Sequence, residues 1–100
     1  MIESYRREGF DEKIVNAMAE VPREEFVSEQ YKKYAYLEVA LPSGEWNSYI
    51  WIISQPWVVA RICPLLDLNG EEKILEVGTG SGYHAAVLSR LSKGVQKSVL

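Results

Sequence analysis

The chain has 100 residues, 47% of them apolar and 25% charged, with a net charge of −3, which suits one small globular domain. That charge gives no electrostatic footprint for nucleic acid or an anionic membrane, and no run approaches the roughly 18 apolar residues of a membrane span. The single cysteine, Cys63, excludes an intrachain disulfide and suits a reducing, cytoplasmic compartment, and the opening M-I-E-S-Y-R-R-E is too charged for a signal peptide.

Asp11 is placed to cap a helix over residues 12–21, in which Ile14, Val15, Met18 and Val21 share one face. Pro22 ends it. A second helical stretch over residues 24–34 carries Phe26, Val27, Tyr31 and Tyr34 as packing residues. Arg6, Arg7, Arg23, Lys32 and Lys33 read as solvated charges. From 37 to 53 no helical period persists. Pro42-Ser43-Gly44 marks a turn, and Trp46, Tyr49, Ile50, Trp51, Ile52 and Ile53 crowd into eight residues. That suits a β-strand or a loop lying over an apolar surface. Ser54 is a candidate N-cap for the next helix, with Pro56 in its first turn. Cys63 falls in the apolar run of that helix and reads as a buried, inert thiol. Pro64 must coincide with a kink or an end, since an interior proline costs about 3 kcal/mol.

Residues 73–77, K-I-L-E-V, form an apolar strand-like run that feeds Gly78, Gly80 and Gly82. A helical run over 85–91 follows, starting near Gly82 or Tyr83, and residues 95–99 suggest a second strand. Strand, glycine turn and helix are the layout of a nucleotide-type cofactor loop at the first βα junction of a doubly wound sheet. The spacing is not G-x-G-x-x-G, because Tyr83 occupies the third position, and no lysine makes it a P-loop. Glu76 precedes Gly78 by two residues. A carboxylate there is unhelpful beside a pyrophosphate and suits a ligand with positive charge, such as S-adenosylmethionine, which carries an ammonium and a sulfonium.

The E-x-G-x-G-x-G pattern at 76–82 resembles motif I of class I S-adenosylmethionine-dependent methyltransferases. V-P-R-E-E-F-V at 21–27, followed by residues 31–36, resembles the N-terminal helices of the protein-L-isoaspartate O-methyltransferases. I-S-Q-P-W-V-V-A at 53–60 is similar to that family's T-I-S-Q-P segment. The resemblance implies an α/β fold, with N-terminal helices followed by the start of a Rossmann-like class I methyltransferase domain holding an incomplete parallel sheet. Residues 1–53 would form the helical and substrate-loop region, and 54–100 the start of the cofactor domain. It further implies methyl transfer from S-adenosyl-L-methionine to the carboxyl of isoaspartyl residues in damaged proteins and peptides, a repair reaction. Ser54 matches the family's active-site serine beside the reacting carboxylate, although a plain helix cap would explain it equally. Ile52 and Ile53 would line the methionine side of the cofactor. Glu76, Val77, Gly78, Thr79, Gly80, Ser81 and Gly82 would follow its length, with Glu76 at the amino-acid end. No metal, nucleic acid or membrane is implied, and His84 is expected on the exposed side of its helix.

The chain departs from the family in two places. Segment 42–56 is several residues longer than usual, and Ile50, Trp51 and Ile52 stand where Gly-Gln-Thr is expected. Leu100 stands where an acid would hold the ribose. With two strands in view, the chain reads as the front part of a larger domain, inactive as it stands. Two other readings stay open: a remnant that binds a partner through its apolar 44–57 segment, and a methyltransferase with another acceptor.

Overall fold

The computed structural model describes residues 1–98. Two helices, α1 (Ile2–Arg7) and α2 (Glu12–Glu20), open the chain. Asp11 caps α2 as expected, its carboxylate accepting from the Lys13 N–H at 2.9 Å. Ile14, Val15, Ala17 and Met18 form the buried face of α2. The expected helix over 24–34 is instead two 3-10 turns, Arg23–Phe26 and Glu29–Tyr34. Extended backbone at Val27 separates them, and the Ser28 N–H donates to the Pro42 carbonyl at 3.0 Å. A cross-chain bond at that point withdraws a donor that a continuous helix would need.

Strands β1 (Leu41–Trp46) and β2 (Tyr49–Ile53) form an antiparallel hairpin, with a register irregularity between Pro42 and Gly44. Asn47 and Ser48 both have positive φ, 51° and 70°, as a two-residue hairpin turn of the primed type demands. The aromatic-rich segment is therefore a strand rather than a loop. Helix α3 (Pro56–Ile62) follows, with Gln55 and not Ser54 at the cap position. The open first-turn donor is met from outside: the Trp57 N–H donates to the Glu38 carboxylate at 3.0 Å. Pro64 is accommodated because α3 ends at Ile62 and the chain tightens into a 3-10 turn, Cys63–Leu66, which Asp67 closes at φ 50°.

Strands β3 (Lys73–Val77) and β4 (Gly94–Ser98) pair in parallel, from Lys73 beside Gly94 to Val77 beside Ser98, with α4 (Tyr83–Ser89) as the crossover. The sequence expectation for Val99 and Leu100 lies outside the described residues. Glu76 and Ile74 turn towards the helices. Leu75 and Val77 turn outward and are 65% and 69% exposed, although parallel strands are ordinarily covered on both faces. One apolar cluster draws on the whole chain: Tyr5, Val15 and Met18 from the first helices, Ile53 from β2, Val59 and Cys63 around α3, Tyr83 and Val87 from α4. Among the described residues no helix is long and apolar enough to cross a membrane.

Arg23 corrects the expectation of a solvated charge, because it is 0% exposed. Its Nε donates to the Ala35 carbonyl at 2.6 Å and its Nη2 to the Ser54 carbonyl at 2.5 Å. The guanidinium also lies 4.9 Å from the centre of the Tyr83 ring. Burial depresses its pKa, and Tyr83 and Glu38 oppose that shift.

Candidate cofactor site at the end of β3

The glycine turn sits where β3 hands over to α4. Gly78, Gly80 and Gly82 all have positive φ, at 72°, 57° and 83°. Those are conformations that side chains with a Cβ rarely adopt. The Gly82 N–H returns to the Thr79 carbonyl at 3.0 Å, and the Ser81 hydroxyl accepts from the Tyr83 N–H at 3.1 Å, meeting a first-turn donor of α4. Gly80 lies against the end of β2: a Cβ there would stand 3.7 Å from the Ile52 carbonyl oxygen. The hairpin and the glycine turn therefore form facing walls.

Between them lies a cavity of about 190 Å³. Glu76, Gly78, Thr79, Gly80 and Ser81 form one side, Ile52 and Ser54 the rim, and Val58, Val59 and Ile62 the apolar wall from α3. Tyr83 and His84 close it. Among the described residues, four buried side-chain polar atoms lack a hydrogen-bond partner: Glu76 Oε1 and Thr79 Oγ1 belong to the glycine-turn side of this cavity, whereas Tyr83 Oη and Arg23 Nη1 belong to the stacked Arg23–Tyr83 pair. Buried polar atoms are ordinarily satisfied, so the two on the glycine-turn side point to a ligand. A larger, more open cleft of about 380 Å³ lies between α2 and residues 67–70 and holds none of these orphaned atoms.

The cavity thus brings together Ile52, Ser54, Glu76, Gly78, Thr79, Gly80 and Ser81. It does not include Ile53, Val77 or Gly82. Ile53 is 1% exposed and packs in the core, since alternate residues of β2 face opposite ways. Val77 faces outward for the same reason on β3. Gly82 borders a separate surface depression with Phe26 and Lys97. Ser54 is held by its carbonyl, through Arg23, rather than by capping α3.

His84 corrects its expected exposure. It is 29% exposed at the side chain, with Nδ1 3.7 Å from Glu76 Oε2 and Nε2 3.2 Å from Cys63 Sγ. Burial lowers its pKa, and the Glu76 charge only partly opposes this. Burial pushes the Cys63 thiol up to about 12, in keeping with an inert cysteine. Sequence reasoning also missed Val58, Val59 and Ile62, for which helical spacing was the available signal, and Arg23, for which there was none. Among the described residues no group of three or more His, Cys, Asp or Glu side chains is arranged to hold a metal ion.

A carboxylate at the end of a parallel strand, a glycine turn with three left-handed residues and an apolar helix wall together form the opening βαβ unit of a Rossmann-like fold. A family model described as protein-L-isoaspartate(D-aspartate) O-methyltransferase (PCMT) matches residues 1–99, and the chain belongs to that family. A solved protein-L-isoaspartate O-methyltransferase superposes on 96% of this chain with a TM-score of 0.82 and 31% identity, over 31% of its own length. A second structure is a protein-L-isoaspartate O-methyltransferase from Plasmodium falciparum in complex with S-adenosyl-L-homocysteine. It matches 96% of this chain with a TM-score of 0.67 and 22% identity, over 44% of its own length, and so supports the fold. The chain spans under half the length of either structure.

Proposed function

We propose that this chain carries the cofactor loop and the acceptor-side serine of a protein-L-isoaspartate(D-aspartate) O-methyltransferase, acting with S-adenosyl-L-methionine on isoaspartyl residues of proteins and peptides. The observation that carries the reading is Glu76 Oε1, a buried carboxylate oxygen without a partner in the wall of a cavity lined by the glycine turn. An unpaired carboxylate disfavours a phosphate and favours an ammonium. Glu76 would accept from the amino group of the cofactor, the backbone of 78–81 would lie along it, and Ile52 with Val58, Val59 and Ile62 would cover its apolar part. The bound cofactor supplies a methyl group already activated by its sulfonium.

The acceptor carboxylate is ionised at neutral pH and needs no strong base. The task left to the protein is orientation. Ser54 stands on the rim of the cavity with its backbone fixed by Arg23, and its hydroxyl can donate to that carboxylate. A cavity of about 190 Å³ lies below the roughly 300 Å³ at which whole small-molecule pockets begin, so these residues accommodate one end of the cofactor. The chain alone is accordingly expected to bind S-adenosyl-L-homocysteine weakly, above about 10 µM, or about −7 kcal/mol. A free, buried Cys63 suits a cytoplasmic setting.

Calorimetry with S-adenosyl-L-homocysteine, together with an isoaspartyl-peptide methylation assay, tests the reading. Weak binding removed by Glu76→Gln supports it, and binding indifferent to Glu76 overturns it. A second reading, a partner-binding module, is favoured by the exposed apolar side chains Leu75 and Val77 on the outer face of β3. It would stand if the chain bound no cofactor at any concentration.

A further inference from the structure

Three residues that sequence spacing does not connect meet behind the cavity. Cys63 comes from the turn after α3, His84 from the first turn of α4, and Glu76 from β3. Their contacts run in a line, from Sγ to Nε2 at 3.2 Å and from Nδ1 to Oε2 at 3.7 Å. We propose that His84 is a positioning residue for Glu76. In this arrangement a thiol–imidazole–carboxylate line decides how much negative charge the cavity presents to a cationic ligand group. The inference rests on the reading of this cavity as the seat of the ammonium end of the cofactor.

The direction of the line follows from its buried end. Cys63 is buried, where a thiolate is disfavoured, so its sulfur keeps its proton and can donate it to Nε2 when the ring carries its own proton on Nδ1. A neutral imidazole that accepts at Nε2 carries its own proton on Nδ1. That proton faces Glu76 Oε2 at 3.7 Å, outside hydrogen-bond range, so the neutral ring meets the carboxylate as a dipole and becomes an ion-pair partner only when protonated. One carboxylate oxygen is thereby drawn towards the ring. The other, Oε1, is the orphaned acceptor in the cavity wall. The line thus sets one carboxylate oxygen beside the ring and leaves the other for a donor from outside the protein.

The charge environment is sparse. Lys97 on β4 is the cross-strand neighbour of Glu76, but its ammonium lies on the far side of the turn, near Gly82. The α3 wall contributes only Val58, Val59 and Ile62, and the Tyr83 hydroxyl is buried and neutral. Glu20 of α2 pairs with Arg90 beyond the end of α4. Arg23, buried behind Ser54 and over the Tyr83 ring, is a fixed cation that keeps its charge throughout, so the pH-dependent part of the local charge rests on His84 beside Glu76. With a neutral imidazole the pair carries one negative charge. With an imidazolium it carries none, and the attraction for an ammonium falls. Ligand affinity should thus fall as the pH drops through the titration of His84, a range in which the amino group of the ligand does not titrate.

His84 is the only histidine of the chain, so its ring resonances need no assignment. Nitrogen chemical shifts of the ring in the full chain should show the Nδ1–H tautomer near neutral pH. Cys63→Ser, which keeps a donor, should preserve it, and Cys63→Ala should shift it towards Nε2–H. S-Adenosyl-L-homocysteine binding, followed by NMR titration at millimolar ligand, should weaken about fivefold as the pH falls from neutral through the titration of His84, which lies below the ordinary histidine value, and His84→Gln should abolish that dependence. A dominant Nε2–H tautomer, or an unchanged pH dependence in His84→Gln, overturns the proposal. Loss of the Glu76→Gln effect on binding would instead overturn the assignment of the cavity, and the tautomer measurement decides the role of His84 in either case.

Discussion

Replacing Arg23 by methionine keeps most of the side-chain volume and removes the guanidinium. Two bonds are lost, to the Ala35 carbonyl at 2.6 Å and to the Ser54 carbonyl at 2.5 Å, together with the contact over the Tyr83 ring. Hydrogen bonds from a charged donor contribute about 1.5–3 kcal/mol each, and a desolvated cation–π contact about 2 kcal/mol. The cost of burying the guanidinium offsets part of this sum, but removing it leaves two carbonyls without their donor. A net loss of about 3–5 kcal/mol follows, the size seen when one partner of a buried charged contact is removed. In a domain of this size that lowers Tm by about 15–30 °C and removes a large part of a total stability of about 5–15 kcal/mol. Thermal and urea unfolding followed by the fluorescence of the three tryptophans measures it. A variant within about 0.5 kcal/mol of the parent would refute the reasoning. It would show that the buried guanidinium is no better than a hydrophobic stem.

Four further outcomes are expected. Gly80→Val places a β-branched residue at φ 57° beside the Ile52 carbonyl, so it should cost about 1–2 kcal/mol by denaturant unfolding and abolish S-adenosyl-L-homocysteine binding. Ser54→Ala should leave cofactor affinity unchanged, and in a catalytically competent protein it should lower kcat more than it raises KM. Folding favours the neutral imidazole of His84, so near pH 6 the unfolded chain binds more protons. That contribution to stability is fully present above the ordinary histidine value of 6.5 and is lost as the pH falls through the lower folded value; unfolding midpoints of parent and His84→Gln should therefore converge in acid. Cys63, with its thiol pushed up to about 12, should react with an aromatic disulfide reagent no faster than the chain opens, and rapid labelling of the folded chain would contradict its burial.

The local elements were legible in the sequence because they rest on local chemistry. Asp11 before an apolar face gives the capped α2, three glycines after K-I-L-E-V give the turn between β3 and α4, and the I-S-Q-P and glycine motifs mark the family. Glu76 could be read as a ligand-facing acid because its place beside the glycines is a matter of spacing. The tertiary structure decided everything that depends on chain segments meeting. Ser54 looked like a cap, yet Glu38, sixteen residues earlier, supplies the donor's partner, and Arg23 takes the Ser54 carbonyl. Arg23 sits in a run of charged residues whose sequence gives no sign that it is buried under the Tyr83 ring. Ile52 and Ile53 are indistinguishable as letters, and only the pairing of β2 with β1 sends one to the cavity and the other to the core. His84 meets Glu76 and Cys63 because α4 folds back over β3 and against the turn after α3. Periodicity and capping act over a few residues, whereas burial, ion pairing and the shape of a cavity arise between segments far apart in the chain.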